Sequence, residues 1–413
     1  MTISLVLLYF FGLISIFFIT RNLFDFRIIY GVFVFPAALS AQYEIALLFS
    51  LSIFCLSIGS IIGNFFLKKD TSISIQIFKS SEINLGFKNP KIFFLTWVFL
   101  TIFCIMLSIF YFYQVGISLF AEEVGIARLE NRHIVTGSYF YQRLFRVFLP
   151  ILCMVYFLMG FCKETKNYYS TSIFLILSLI TLLLLVFTGM RGNVLTFYFF
   201  PFIVLLGLIT GSYLNFRLIF SFLSIAIFGF LATAYMYQTY NIYEIFLVLV
   251  QRISIQATDG ITQSFYFDVP QNGFYYGRTF LEDLLSFGTK LGLTIQENFT
   301  YSAQIAMQIL GPKYRGEQAA IYFFGEFYAN FGFVGVVFFS LLLGVFLQII
   351  SIKTMKTNKT LLRVAALSYF QAVLIMILGG PLVSMFVDYF VTVSLFFFIF
   401  VLGCSIPTLK VKK

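Results

Sequence analysis

The chain has 413 residues, of which 60% are hydrophobic, 21% aromatic and only 11% charged, with a formal net charge of +10. Such a composition excludes a soluble globular domain and points to a protein that crosses a membrane many times. Its apolar runs are continuous and not alternating, which argues against an outer-membrane barrel. Lipid offers the backbone no hydrogen-bond partners, so helices are expected.

A transmembrane helix needs roughly 20 mainly apolar residues, and about eleven segments qualify. In chain order they are 3–20, 28–42, 43–67, 92–113, 145–161, 171–190, 193–210, 217–237, 322–350, 361–379 and 384–406. The first ends at Arg21 without a small-residue cleavage site, so it is expected to remain as a span and not to be removed as a signal peptide. The second is short and carries Pro36. If the tail containing Lys410, Lys412 and Lys413 is cytoplasmic, alternation places 17 basic and four acidic residues inside, against ten and thirteen outside. That is the positive-inside bias. The net charge then reads as topology and attraction to anionic lipid, with no reason to expect nucleic-acid binding.

The expected organisation has three parts. Residues 1–237 hold eight spans and an outer loop at 114–144, rich in charge (Glu122, Glu123, Arg128, Glu130, Arg132, His133, Arg143). Residues 238–321 form a long outer loop, and 322–413 hold three more spans and the basic tail. Loops of this length are uncommon unless they do something. The long one has helical apolar spacing in IYEIFLVLVQRISIQ and TFLEDLLSFGTKLG, so a folded cap of short interfacial helices is expected. Its aromatic residues fit an interfacial belt or a surface that stacks on sugar rings.

The chain lacks a phosphate-binding glycine loop, an H-E-x-x-H pair and a G-x-S-x-G elbow, so it is not expected to consume nucleotides. Cys55, Cys104, Cys153, Cys162 and Cys404 lie in or beside predicted spans, and His133 stands apart from them, so neither disulfides nor a metal site is expected. What remains is a set of ionisable residues at one predicted depth, near the outer surface: Glu44, Arg143, Arg146, Arg191, Glu326 and Asp388. They face the long loop with its Arg252, Arg278, Lys313, Arg315 and Glu317.

Arg191 is the single charge between Lys166 and Arg217, on a short turn between Gly189 and Gly192. A guanidinium near lipid costs on the order of 3 kcal/mol, so it is expected to face a cavity, a partner or an anion. Arginine suits phosphate because its planar fork makes paired charge-assisted bonds. The alternative, for it and for Arg143, Arg146 and Arg217, is a snorkelling anchor. Glu326, just inside the ninth predicted span, is a carboxylate that could take a proton from a sugar hydroxyl, with Asp388 as competitor. The alternative for each is a structural ion pair. Gly332 and Gly335 are expected to allow close helix packing.

Three stretches resemble the Wzy-type polysaccharide polymerases: Thr188-Gly189-Met190-Arg191-Gly192, Tyr276-Gly277-Arg278-Thr279-Phe280-Leu281, and Gly325-Glu326-Phe327-Tyr328-Ala329-Asn330-Phe331-Gly332. The layout of many spans with a large late outer loop is similar over nearly the whole chain. The resemblance implies an all-α, GT-C-like polytopic membrane protein in the bacterial inner membrane, with its active site facing outward. It implies an inverting, metal- and cofactor-independent transfer of glycan from undecaprenyl pyrophosphate to an incoming lipid-linked repeat unit. Membrane lipids, a chain-length regulator and a flippase are the implied partners. Arg191, Arg278 and Arg315 would bind pyrophosphate, and Arg143, Arg252 and Tyr328 would make further substrate contacts. Glu326 would be the base, ahead of Asp388. The rival readings are an O-antigen ligase, a transporter of lipid-linked glycan and an envelope scaffold.

Overall fold

The computed structural model describes residues 3–20, 26–66, 83–118, 138–188, 194–210, 258–290, 299–314, 318–356, 360–380 and 382–409. These are almost wholly helical, and among them no strand forms beyond an isolated parallel bridge between Asn84 and Thr360. In chain order the helices are α1 (Ile3–Thr20), α2 (Phe26–Ser40), α3 (Tyr43–Phe66), α4 (Pro90–Val115) and α5 (Ser138–Arg143, π turn Leu144–Phe148, Leu149–Met159). Next come α6 (Thr171–Phe187), α7 (π turn Leu195–Phe199, Phe200–Thr210) and α8 (Asp259–Gln263, π turn Ser264–Asp268, Val269–Asn272). The last are α9 (Arg278–Lys290), α10 (Tyr301–Leu310), α11 (Tyr322–Lys356), α12 (Leu361–Gly379) and α13 (Leu382–Leu409).

Five of these are long and apolar enough to cross a membrane, over Tyr43–Phe66, Pro90–Val115, Tyr139–Met159, Tyr322–Ile352 and Phe386–Cys404. Shorter apolar helices cover Ile3–Phe17, Tyr30–Ser40, Thr171–Phe187, Thr196–Leu206 and Leu361–Leu374. Each falls on a predicted span. The predicted span 217–237 and most of the predicted loop 114–144 lie outside the described residues. Within the long loop, the described parts form the short helices α8, α9 and α10.

The chain divides into two compact units, one of Met1–Gln76, Thr239–Thr357 and Leu374–Asp388, the other of Ile77–Gln238, Asn358–Val373 and Tyr389–Lys413. In the first, α3 and α11 approach backbone to backbone. A Cβ added at Gly59 would overlap the Leu341 carbonyl oxygen, and one at Gly344 the carbonyl oxygen of Leu56. Small residues are what allow such an approach between apolar helices, where dispersion replaces the hydrophobic effect as the driving force. The same seam solvates a charge: the fully buried Arg27 on α2 donates from Nη1 to Ser60 Oγ (2.9 Å) and Gln348 Oε1 (2.6 Å). In the second unit, Asn89 caps α4 by accepting from the amides of Lys91 and Ile92, with Pro90 at the first turn where its missing N–H costs nothing. Trp97 of α4 donates to the Leu152 carbonyl of α5 at 3.0 Å and stacks on Tyr156, ring centroids 4.4 Å apart.

One local device recurs. The π turns at Leu144–Phe148, Leu195–Phe199 and Ser264–Asp268 each end two residues before a proline, Pro150, Pro201 and Pro270. Proline brings no N–H and its ring crowds the carbonyl four residues back, so a wider turn there relieves the clash. At Pro150 the carbonyl left over is that of Arg146, and the Tyr369 hydroxyl of α12 takes it at 2.6 Å.

Candidate functional site

α11 does not run straight. Gly332 has φ +64 and breaks it into a short first part and a long second part. Besides the close packing expected of it, with a Cβ there only 2.9 Å from the Phe274 ring, Gly332 meets a second demand: the backbone needs a left-handed residue. A helix that ends in an apolar surrounding leaves carbonyls without partners. Here the loop before α9 supplies the donors, Tyr275 N to Ala329 O (3.0 Å) and Tyr276 N to Asn330 O (3.1 Å). Tyr276 takes φ +50 to do so, a strained conformation for a tyrosine, and leaves its ring exposed.

That docking sets up a directed network. Gly277 N donates to Asn330 Oδ1 at 2.8 Å, so the Asn330 amide nitrogen faces the other way, donating to Thr279 Oγ1 (2.5 Å) and to Glu326 O (2.9 Å). With its oxygen taken as acceptor, the Thr279 hydroxyl donates to Glu326 Oε1 at 3.2 Å. Leu382 N, at the first turn of α13, donates to Glu326 Oε2 at 3.1 Å. Both carboxylate oxygens are thus held, and Glu326 is only 2% exposed. One helical turn beyond Thr279, the fully buried Asp283 lies within electrostatic reach of Glu326. Nothing in the sequence singles out Thr279, Asp283 or Asn330 for this role. Asp388, the predicted competitor, is also buried, on the second turn of α13.

A second carboxylate organises the cap. Asp268 ends the π turn of α8, is 1% exposed, and accepts from Asn272 Nδ2 (3.1 Å), Tyr275 OH (3.0 Å), Tyr301 OH (2.8 Å) and Gln308 Nε2 (2.7 Å). Burial, then the charge of Asp268, pushes the Tyr275 hydroxyl up to about 12. Burial raises Tyr301 as well, although Ser264, 2.7 Å away, opposes the shift. No motif marks Asp268, because its donors come from three separate segments. Tyr266 of the same π turn reaches Glu44 at the start of α3, at 2.7 Å.

The predicted cations divide. Arg278 opens α9 with a side chain 71% exposed and pairs with Glu282 at 2.8 Å, while Gln304 holds the other Glu282 oxygen. An exposed pair of this kind contributes about 0.3–0.5 kcal/mol, so the guanidinium is easily redirected. Arg191, Arg252 and Arg315 lie outside the described residues. Tyr328 is half-buried and stacks on Phe265, centroids 4.7 Å apart. In the other unit, Arg143 lies half-buried between the rings of Tyr139 (4.7 Å) and Tyr389 (5.0 Å), and Arg146 lies 5.9 Å over Phe197. Both sit at the π turn of α5, and aromatic faces are a favourable place for a guanidinium short of water. Among the described residues, no three His, Cys, Asp or Glu side chains gather closely enough to hold a metal ion.

Compared with protein-family models, with curated proteins and with solved structures, the chain matches none.

Proposed function

We propose that the chain is a polysaccharide polymerase of the Wzy type, an inverting glycosyltransferase that joins undecaprenyl-pyrophosphate-linked repeat units on the outer face of the bacterial inner membrane. The observation that carries this reading is the docking of residues 275–279 onto the broken start of α11. Two of the stretches that carry the resemblance, 47 residues apart at Thr279 and Glu326, meet around one oriented carboxylate.

In this reading the acceptor's sugar hydroxyl takes the place of one of the two donors on Glu326 and gives up its proton there. The freed oxygen bonds to the donor's anomeric carbon on the face opposite the pyrophosphate. The bond from that carbon to the pyrophosphate oxygen breaks, and its electron pair leaves with undecaprenyl pyrophosphate. Arg191, Arg278 and Arg315 spread the charge that builds on the leaving group. Arg143, Arg252 and Tyr328 make further substrate contacts, and Asp388 is the alternative base. Arginine supplies the charge stabilisation that other transferases take from a metal, so no cofactor is invoked. An eleven-span, GT-C-like topology, a chain-length regulator and a flippase complete the proposal.

The test is incubation of the purified protein with synthetic lipid-linked repeat units, without metal or nucleotide. A ladder of longer lipid-linked products is expected. Unchanged substrate ends the polymerase reading, and transfer only to an added lipid acceptor that is not isoprenoid replaces it with a ligase.

A further inference from the structure

The unit that carries Glu326 also forms an apolar cavity of about 430 Å³, open on one side, among α9, α11, α12 and α13. Its lining is entirely Phe, Leu and Val, with no side chain able to make a hydrogen bond. The volume falls within the roughly 300–1,000 Å³ of ligand pockets. A sugar, a nucleotide or ordered water would lose its hydrogen bonds on entering; a hydrocarbon chain loses nothing.

The cavity ends at the site. Phe280 follows Thr279 in the chain, Phe327 follows Glu326, and both line the cavity. Leu382 does two things at once: its side chain lines the cavity and its N–H holds Glu326 Oε2 at 3.1 Å. An amphiphile with its chain in this space therefore brings its polar end to the carboxylate.

We infer that the cavity holds the isoprenoid chain of the glycan donor, an inference that rests on the function proposed above. The chemistry selects the donor over the acceptor. In the donor, the bond that breaks joins the reacting carbon to the pyrophosphate, and the chain starts at the far phosphate. Its first isoprene unit is therefore held within two phosphates of the base. In the acceptor, the attacking hydroxyl is separated from its own chain by a whole repeat unit, so that chain can stay in bulk lipid.

The experiment uses the full chain in nanodiscs of phosphatidylethanolamine and phosphatidylglycerol, with a polyprenyl pyrophosphate carrying a diazirine on its first isoprene unit. Photolysis should label peptides around Leu343 and Leu378, which face the cavity. Leu378→Trp fills the interior, and Leu284→Trp fills the half-exposed side on α9 without burdening the core. Either should cut labelling by about tenfold, the equivalent of one decade in affinity, with insertion and melting unchanged. Labelling that persists in both variants overturns the inference. So does equal labelling of the same peptides by a diazirine phosphatidylglycerol, which would mean a lipid-filled space only. Turnover on the same samples separates the two ideas. Cavity labelling without glycan extension sinks the polymerase reading and leaves the hydrocarbon site, whereas extension with labelling elsewhere sinks only the site.

Discussion

A carboxylate at the head of an apolar helix has to be held by donors, and Glu326 has two, the Thr279 hydroxyl and the Leu382 amide. Those two contacts alone would make it a structural cap for α13. A substitution separates that role from chemistry, because glutamine keeps the shape. In Glu326→Gln the amide oxygen still accepts from Leu382 N–H, and the amide nitrogen can donate to the second lone pair of Thr279 Oγ1 once the hydroxyl proton turns away. The fold should therefore stay within about 1 kcal/mol of the parent. The proposed proton acceptor, however, is gone, and on that reading glycan extension should fall by about 10²- to 10⁴-fold. Extension rates and melting in detergent, measured side by side, check this; a full rate in the variant would return Glu326 to the role of cap. Asp268 shows the contrast. Four side chains from three segments converge on it, so it reads as the keystone of the cap.

At the scale of the element, the three proline-led π turns explain where several side chains point. Inserting a π turn adds one residue to the helical register, which rotates the residues on its N-terminal side by about 100° relative to those on its C-terminal side. In α5 the rotated group includes Arg143, which stands beside Tyr389. Pro150→Ala restores the N–H to position 150 and gives Arg146 O an intrahelical partner in place of the Tyr369 hydroxyl. The helix should gain stability, up to about 3 kcal/mol on propensity alone, while Arg143 swings from its aromatic seat. A higher melting temperature together with slower glycan extension is the expected pair of results. Unchanged extension would show that the π turn is only an accommodation of proline. The break in α11 at Gly332 works differently: it frees carbonyls that the loop at Tyr275 and Tyr276 then occupies, so a defect in one helix becomes the docking point for another segment.

At the scale of the whole molecule, the charge bias of 17 basic and four acidic residues on one side, against ten and thirteen on the other, predicts orientation. Single cysteines introduced near Lys163 and Lys356 of a cysteine-free variant should react with membrane-impermeant thiol reagents only after the cell is opened. One placed at Gln271, exposed at the end of α8, should react in intact cells once the outer membrane, if present, is permeabilised. The reverse pattern would turn the molecule over and remove Glu326 from the outer face. Removal of the native thiols breaks no cross-link, because Cys55, Cys104, Cys153, Cys162 and Cys404 form no disulfide, but each is buried and its loss should cost about 1 kcal/mol, read as a lower melting temperature.

The sequence by itself determined the membrane class and the position of each described apolar helix, because partition into lipid depends on the composition of a local window of about 20 residues. It also marked Glu326, since a charge among apolar neighbours stands out without knowledge of the fold. Only the tertiary structure decided what Glu326 touches. Thr279, Asp283 and Asn330 look ordinary in a polar loop and at a helix start, and no periodicity signals that positions 277–283 and 326–330 meet. Gly332 was legible as a small residue but not as a helix break, since its φ is set by the loop that docks there. Contacts between distant segments depend on the path of the chain and the carbonyls it leaves open, and those exist only once the helices have packed.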